Sequence, residues 1–309
     1  MPPSPPINLS RGWPSPSLLP TALIASAAAT CLSDPSTATA ALSYGPDPGH
    51  EPARIEIAKW LTQSYTSSSL KQKHTPTLPS NLCVTGGASQ NLGNLLSVYT
   101  DPAFTRSVWI VAPAYFLSFG VFADAGFGSR MRAVGEDGEG LDLGELERGI
   151  LEREGEWERE GRGVGGERDN NSGIPGYNAE KARKKVYKHV VYCVPTFANP
   201  SGATMSLRRR EGLVRLARRF DALVIADDVY DFLHWPAEPS EVGSSPSTHE
   251  LLPRLVDIDR EIDGGTQRDG ADGFGNACSN GSFSKIAGPG VRCGWLEGSE
   301  KFAYGVSQM

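Results

Sequence analysis

Four short apolar runs constrain this chain more than anything else in it: LCVT (82–85), VWIVA (108–112), HVVYCV (189–194) and LVIA (223–226). None alternates apolar with polar residues, so each reads as a strand covered on both faces. Runs of this kind, separated by turn signals and helical patterns, are how βαβ units around a mostly parallel sheet are written. The segment between the last two runs has the period of a helix. Ser206 is placed to cap it, and Leu213, Leu216, Ala217 and Phe220 recur on one face. Arg208, Arg209, Arg210, Arg215, Arg218 and Arg219 are expected on its wet side. The expected fold class is α/β, with a three-layer α/β/α body.

The remaining text reads as additions to that body. Residues 1–20 are punctuated by proline and read as an extended arm; helices are expected around 21–32 and 52–64. The division that follows is residues 1–40 for the arm and first helix, and 41–309 for one large domain. Two insertions interrupt it. Residues 135–176 are rich in Gly, Glu and Arg and are expected to be disordered or helical only in part. Residues 236–275 read as a Pro/Ser/Asp/Gly-rich loop.

Composition removes several classes of partner. A net charge of -6 and a pI near 5.5 exclude a nucleic-acid footprint. The short basic run Lys181, Arg183, Lys184, Lys185, Lys188 reads as a solvated face before a strand. The apolar stretch LLPTALIASAAATCL follows prolines and is too short to span a bilayer, so it is expected as a helix packed on the body. Five scattered cysteines with no C-x-x-C pair fit a reducing compartment, with Cys83 and Cys193 as buried thiols. A cytoplasmic protein without membrane contact follows, and no metal-ligand spacing is present.

Four features stand just past strand-like runs, where an α/β sheet presents ligands. In VTGGASQNL a strand stops at Thr85, two glycines turn the chain, and a helix begins near Ala88 or Ser89. Its free N–H groups and the Ser89 hydroxyl suit an anion. In VPTFANPSG, Asn199 precedes a proline in a rigid turn. In LVIADDVYDFL two aspartates stand at a strand tip, where burying them is costly unless a cation or ligand meets them; Tyr230 lies three residues past Asp227. In NGSFSKIAGPGVRCGW, Lys285 sits behind Ser282 and Ser284, without aliphatic neighbours for its stem, and Arg292 follows. An anion cradle, an amide, a carboxylate with a phenol, and a lysine with an arginine thus occur in one order along the chain.

These residues resemble the class I/II aminotransferases, the fold-type I pyridoxal-phosphate enzymes, in particular the aminoadipate/aromatic aminotransferase-like group of fungal type. The resemblance runs through GWPSPSLLP, SYGPDPGHEPARIEIAKWL, VTGGASQNL, VAPAYF, PTFANPSG, ADDVYDFL and GSFSKIAGPGVRCGW. It implies pyridoxal 5'-phosphate held as a Schiff base on Lys285, the catalytic amine. It also implies a phosphate shared among Gly87, Ala88, Ser89, Ser282, Ser284 and Arg292. Asp227 would pair with the ring nitrogen, Asn199 and Tyr230 with the ring's phenolic oxygen, and Tyr115 would stack on the ring. Tyr44 is similar to a tyrosine that reaches a neighbouring subunit's phosphate, which implies a homodimer. Gly12 is similar to part of an arm that closes over the substrate. The implied reaction moves an amino group from an L-amino acid to a 2-oxo acid.

Family members normally continue into a smaller C-terminal domain carrying the arginine for the substrate's α-carboxylate, and no residue here matches it. The expectation is therefore a large domain whose small C-terminal domain is missing. A β-lyase using the same ring-holding residues, and a truncated non-catalytic cofactor-binding protein, stay open as alternatives. LVIADD also resembles the strand-end acid of a P-loop ATPase, but the chain contains no G-x-x-x-x-G-K-[ST].

Overall fold

The computed structural model of the chain describes residues 12–66, 75–160, 185–233 and 251–309. Its strands are β1 Leu82–Thr85, β2 Ser107–Ala112, β3 Met131–Asp137, β4 Gly140–Leu141, β5 His189–Cys193, β6 Ala222–Asp227, β7 Ala277–Ser282 and β8 Gly294–Glu297. Its α-helices are α1 Thr21–Ser33, α2 Pro35–Leu42, α3 Glu51–Thr66, α4 Ala88–Tyr99, α5 Ser118–Phe122, α6 Leu143–Arg159, α7 Leu207–Arg219, α8 Leu255–Glu261 and α9 Glu300–Ser307.

The eight strands form one sheet in the order β1-β8-β7-β6-β5-β2-β3-β4. The five from β7 to β3 are parallel, with β8 and β4 antiparallel to their inner neighbours. Continuous apolar strands do here what a two-sided sheet requires. Val190, Tyr192, Leu223 and Ile225 point into one core with Leu95 and Leu96 of α4 and Phe302 of α9. Their sequence neighbours Val191, Cys193, Val224 and Ala226 point into the other, against Ile150 of α6, Leu213 of α7 and Ile258 of α8. A third cluster joins α3 to the sheet edge through Leu61, Tyr65, Leu82 and Trp295. The three-layer α/β/α expectation holds. So do the helix of 52–64, seen as α3, and the buried thiols Cys83 and Cys193. Burial pushes the Cys83 thiol up to about 11.

Several expectations are corrected. The stretch 135–176 is helical in part, the second of its two alternatives, and not loop-rich: its described part is the end of β3, then β4 and the long helix α6. Charge conceals its stripe: Leu146, Ile150 and Trp157 are buried at helical spacing between glutamates and arginines. Arg153, also buried, reaches Glu156 and Glu160, and the guanidinium of Arg106 ion-pairs with Glu154. Within 236–275, α8 places Leu255, Val256 and Ile258 in the interior, where a Pro/Ser/Asp/Gly average had hidden them. The helix of 21–32 forms as α1 but no residue of it is buried, so it does not pack on the body. Its alanines favour helix without supplying an apolar stripe.

The arginines of α7 also divide. Arg210 is only 1 % exposed, and Arg218 is buried against Asp259 at 2.9 Å. Of the basic run, Lys185 bridges Asp221 at 2.5 Å and Asp272 at 2.8 Å rather than lying free in solvent. Lys181, Arg183 and Lys184 lie outside the described residues, as do 1–11 of the arm, 161–176 and 236–250 of the two insertions. Among the described residues no helix is long and apolar enough to cross a membrane.

Candidate active site

Parallel strands bring their carboxyl ends to one edge of the sheet, and β1, β2, β5, β6 and β7 all end there. β8 runs the other way and so begins at that edge, which places Arg292 beside it. Topology alone therefore gathers Gly87, Tyr115, Asn199, Asp227, Ser282 and Arg292 from residues more than two hundred positions apart.

The cradle is built on Gly87, which sits at φ +103 and forms the N-cap of α4. A side chain is disfavoured there. The backbone angle is one that L-residues rarely adopt, and a Cβ would stand 3.1 Å from Arg292 Nη2 and 3.6 Å from Ser282 Oγ. The space left by the missing Cβ is where the first N–H groups of α4, a serine hydroxyl and a guanidinium converge. Ser282 Oγ donates to Ser284 Oγ at 2.9 Å and accepts the Ser284 N–H at 3.1 Å. Arg292 is anchored through Nη2 to the Gly86 carbonyl at 2.9 Å and through Nη1 to the Pro289 carbonyl at 2.8 Å, with Ser284 Oγ 3.4 Å away. Its own backbone is left-handed, φ 50, which for a non-glycine residue costs on the order of 1 kcal/mol. Helix start, hydroxyls and a fork-shaped cation together fit a phosphate. Ser89 lies on the exposed side of α4.

Beyond the cradle stands an acid whose environment is incomplete. Asp227 Oδ2 accepts the Tyr192 hydroxyl at 2.7 Å, whereas Oδ1 is buried with no hydrogen-bond partner among the described residues. Burial pushes the Asp227 carboxyl up to about 6, against the pull of Tyr192, the Val229 amide and the Lys285 charge. Such an oxygen is what a cationic ring nitrogen would satisfy. Asn199 Nδ2 donates to the Tyr230 hydroxyl at 3.4 Å, so the amide and the phenol meet. Lys285 Nζ lies 5.8 Å from the centre of the Tyr230 ring. Half-buried Tyr115 lines a small cleft with Tyr192, Cys193 and Asn199.

Two expected residues stand apart. Tyr44 is fully exposed, at 108 %, and Gly12 is exposed with nothing within 4 Å of where its Cβ would be. Three residues here had been given no role. Tyr192 had a legible signal, since a tyrosine inside a buried strand must find a partner for its hydroxyl. Asp228, 4 % exposed, and Arg210 gave less away, being one of two adjacent aspartates and one of three consecutive arginines.

The fold is shared with solved aminotransferases. A solved multiple substrate aminotransferase from Thermococcus profundus superimposes with a TM-score of 0.67 at 24 % identity, covering 97 % of this chain and 58 % of that one. LysN, an α-aminoadipate aminotransferase from Thermus thermophilus, was solved with N-(5'-phosphopyridoxyl)-L-leucine. It gives 0.65 at 24 % identity, over 96 % of this chain and 57 % of its own. The family model for aminotransferase class I and II matches residues 7–309, and the chain belongs to that family. An uncharacterised protein of Saccharomyces cerevisiae is 35 % identical over 302 residues, 94 % of this chain and 63 % of that protein. Aromatic-amino-acid aminotransferase 1 of Thermococcus litoralis is 26 % identical over 296 residues, 96 % of this chain and 55 % of the enzyme. The chain thus spans less than two thirds of the length of these curated relatives.

Proposed function

We propose that the chain binds pyridoxal 5'-phosphate at this sheet edge, and that the protein transfers an amino group from an L-amino acid to a 2-oxo acid. The observation that carries the reading is the meeting, at one sheet edge, of an amine, a buried carboxylate oxygen without a partner among the described residues and a group of anion-binding donors. The phosphopyridoxyl ligand of the Thermus relative supports the choice of cofactor.

When bound, pyridoxal phosphate supplies an electron sink for the pair released at the amino acid's Cα. The residues would divide the remaining work. Gly87, Ala88, Ser89, Ser282, Ser284 and Arg292 would hold the phosphate. Asp227 would hold the ring nitrogen through Oδ1, the interaction that its raised, cation-poor environment lacks. Asn199 Nδ2 and the Tyr230 hydroxyl would both donate to the ring's phenolic oxygen, and Tyr115 would cover one ring face. Lys285 Nζ would carry the cofactor and, once an amino acid has taken its place, remove and return the Cα proton as a general base.

The exposed Tyr44 and the uncovered pair α1 and α2 support a homodimer in which this arm lies on a second copy. Five free cysteines support a cytoplasmic location.

Borohydride reduction of the purified, cofactor-loaded protein tests the reading. The expected result is a reduced adduct on the Lys285 peptide, located by mass spectrometry and absent from Lys285→Ala. The same adduct retained in Lys285→Ala would sink the assignment. Tyrosine and 2-aminoadipate, added singly, are expected to bleach the visible band and release their 2-oxo acids. Pyruvate and ammonia from β-substituted amino acids without an acceptor would instead identify a lyase.

A further inference from the structure

The first turn of α7 carries three consecutive arginines, and helical geometry sends them in different directions. Arg208 pairs with Glu139 at the surface, and Arg209, its side chain largely covered, reaches the exposed Asp137 at 2.8 Å. Arg210 turns inward, and among the described residues every hydrogen bond of its guanidinium goes to a neutral group. Nε donates to the Met205 carbonyl at 3.1 Å and Nη1 to the Pro253 carbonyl at 3.0 Å. Nη2 donates to the Pro195 carbonyl at 3.1 Å and to Thr196 Oγ1 at 2.9 Å.

Those acceptors have a pattern. Pro195 and Thr196 begin the loop that leaves β5, and Met205 ends it just before Ser206 caps α7. The Met205 N–H also bonds the Pro195 carbonyl, at 2.8 Å, which closes the loop at its neck. The guanidinium therefore grips both sides of that neck at once and ties it to the segment entering α8. Asn199 sits at the other end of the loop. The loop's own bonds run from Ala198 N–H to the Ala203 carbonyl (2.8 Å), from Gly202 N–H to the Ala198 carbonyl (2.5 Å) and from Phe197 N–H to Thr204 Oγ1 (3.3 Å). Phe197 is left-handed, φ 49, so the observed path is not one the chain prefers by itself.

Stability alone is a poor account of this arginine. Burying a cation among carbonyls is expensive, and an apolar side chain of similar volume would fill the space at lower cost. A planar fork with fixed donor directions gives something an apolar residue cannot, namely a defined geometry for four acceptors. Arg210 also sits close enough for its charge to act on Asp228, the residue that follows Asp227.

We infer that Arg210 is a positioning residue for the cofactor's phenolic oxygen: by closing the neck of the 195–205 loop it holds the Asn199 amide against Tyr230. The inference rests on the cofactor reading above and assigns one more residue to it. A donor on the phenolic oxygen loosens that oxygen's hold on the proton shared with the lysine-bound carbon–nitrogen group. Loosening Asn199 therefore raises the pH at which the bound cofactor's visible band interconverts.

The test compares Arg210→Lys, Asn199→Ala and the double variant with the wild-type protein. In the cofactor-free protein, the amides of Phe197, Ala198 and Gly202 are expected to exchange faster in Arg210→Lys. In the loaded protein, the midpoint of the visible band is expected to rise by up to about one pH unit, the equivalent of a hydrogen bond. Asn199→Ala should give a similar rise, and Arg210→Lys should add nothing to it. A lowered melting temperature with an unchanged midpoint overturns the inference, as does a rise that adds in full to that of Asn199→Ala. If Arg210→Lys does not fold, Thr196→Val removes one acceptor of the fork without removing the charge. A smaller rise is then expected, and a wild-type midpoint in folded Thr196→Val is the overturning result. A wild-type protein that shows no visible band with added pyridoxal phosphate overturns the cofactor reading itself, and the inference with it, while the amide exchange still reports whether Arg210 holds the loop.

Discussion

Around Arg254 buried charge is balanced group by group, whereas at the tip of β6 it is not. Arg254 is 1 % exposed and donates to both oxygens of Asp257, at 2.9 and 2.8 Å, and to both of Glu297, at 2.6 and 3.2 Å. Arg260 and Thr77 Oγ1 each add a bond to Glu297 at 2.7 Å. Burial pushes Glu297 up, but Arg254 and Arg260 outweigh it and hold the carboxyl below its ordinary range. Asp228 is about as deeply buried, yet its carboxyl has nothing like the double guanidinium contact of Glu297. The Ser279 hydroxyl and the more distant Arg254 and Arg210 charges only pull on it, and Asp231 Oδ1 and Asp227 Oδ1 have no hydrogen-bond partner among the described residues. Burial, with the neighbouring Asp231 charge, pushes Asp228 well above the carboxylate range. The two regions even touch: the Arg254 guanidinium lies 4.3 Å over the Tyr65 ring, whose hydroxyl donates to Asp231 Oδ2 at 2.6 Å. The Arg254 network fixes the relation of α8 to β8 and pairs its charges, although Arg260 Nη1, 3.6 Å from Asp257 Oδ1, has no hydrogen-bond partner among the described residues. An incomplete one at a strand tip is either waiting for a ligand or holding a proton.

The contrast predicts opposite outcomes for one chemical change. Asp257→Asn leaves Arg254 buried beside a neutral amide, and the cost is expected to be the largest in this set, about 3–5 kcal/mol by urea unfolding at pH 7. A loss below about 1 kcal/mol would break the distinction. Asp227→Asn should act the other way in the cofactor-free protein. The folded Asp227 carboxyl, at about 6, holds its proton more tightly than an ordinary aspartate near 3.8. Between those values the folded state binds more protons than the unfolded chain, so stability falls as pH rises from about 4 to 6. At pH 8 the full penalty, up to about 3 kcal/mol, is present, and Asp227→Asn removes it. The variant should therefore unfold later than wild type at pH 8, equal it below pH 4, and release the cofactor more readily. A variant less stable than wild type at pH 8 would show that Oδ1 is already satisfied. Asp228→Asn is the third case. Since burial already favours its neutral form, the change is expected to lie within about 1 kcal/mol of wild type at pH 7, on the stabilising side.

How far the sequence carries depends on how each residue's role is written. The sheet was legible because uninterrupted apolar runs have few other solutions, whereas the grouping of Gly87, Ser282 and Arg292 came from the family resemblance of the motifs that carry them. Helix α6 was not legible, because its buried Leu146, Ile150 and Trp157 are diluted by glutamate and arginine, and an average over the stretch reads as polar. Helix α8 was lost in the same way. Arg210 was illegible for a further reason: among three arginines only the rotation of the helix decides which one turns inward, and the carbonyls it meets are backbone, which no sequence marks. The orphaned oxygen of Asp227 and the thinly met carboxyl of Asp228 are likewise properties of packing. The doubled aspartate announced a cost of burial without saying which acid would meet a partner.

A last, small effect tests one of the bonds that partly complete the incomplete side. Tyr192 lies on β5 opposite Ile225 of β6, two residues before Asp227, and its hydroxyl is the side-chain donor to Asp227 Oδ2. Tyr192→Phe keeps the ring packed against Phe122, 5.6 Å away between centres, and removes only that donor. The loss of the hydrogen bond itself is expected to cost about 1 kcal/mol. Its signature lies in the pH dependence. Without the donor, burial acts on Asp227 less opposed, so its folded carboxyl rises further above about 6, and the decline in stability with rising pH continues to higher pH. In the Asp227→Asn background the same tyrosine change should leave the pH profile untouched, because the titrating group is gone. A Tyr192→Phe profile that parallels wild type at every pH would mean that this hydroxyl does not govern the acid, and that the tip of β6 is balanced by something other than its nearest donor.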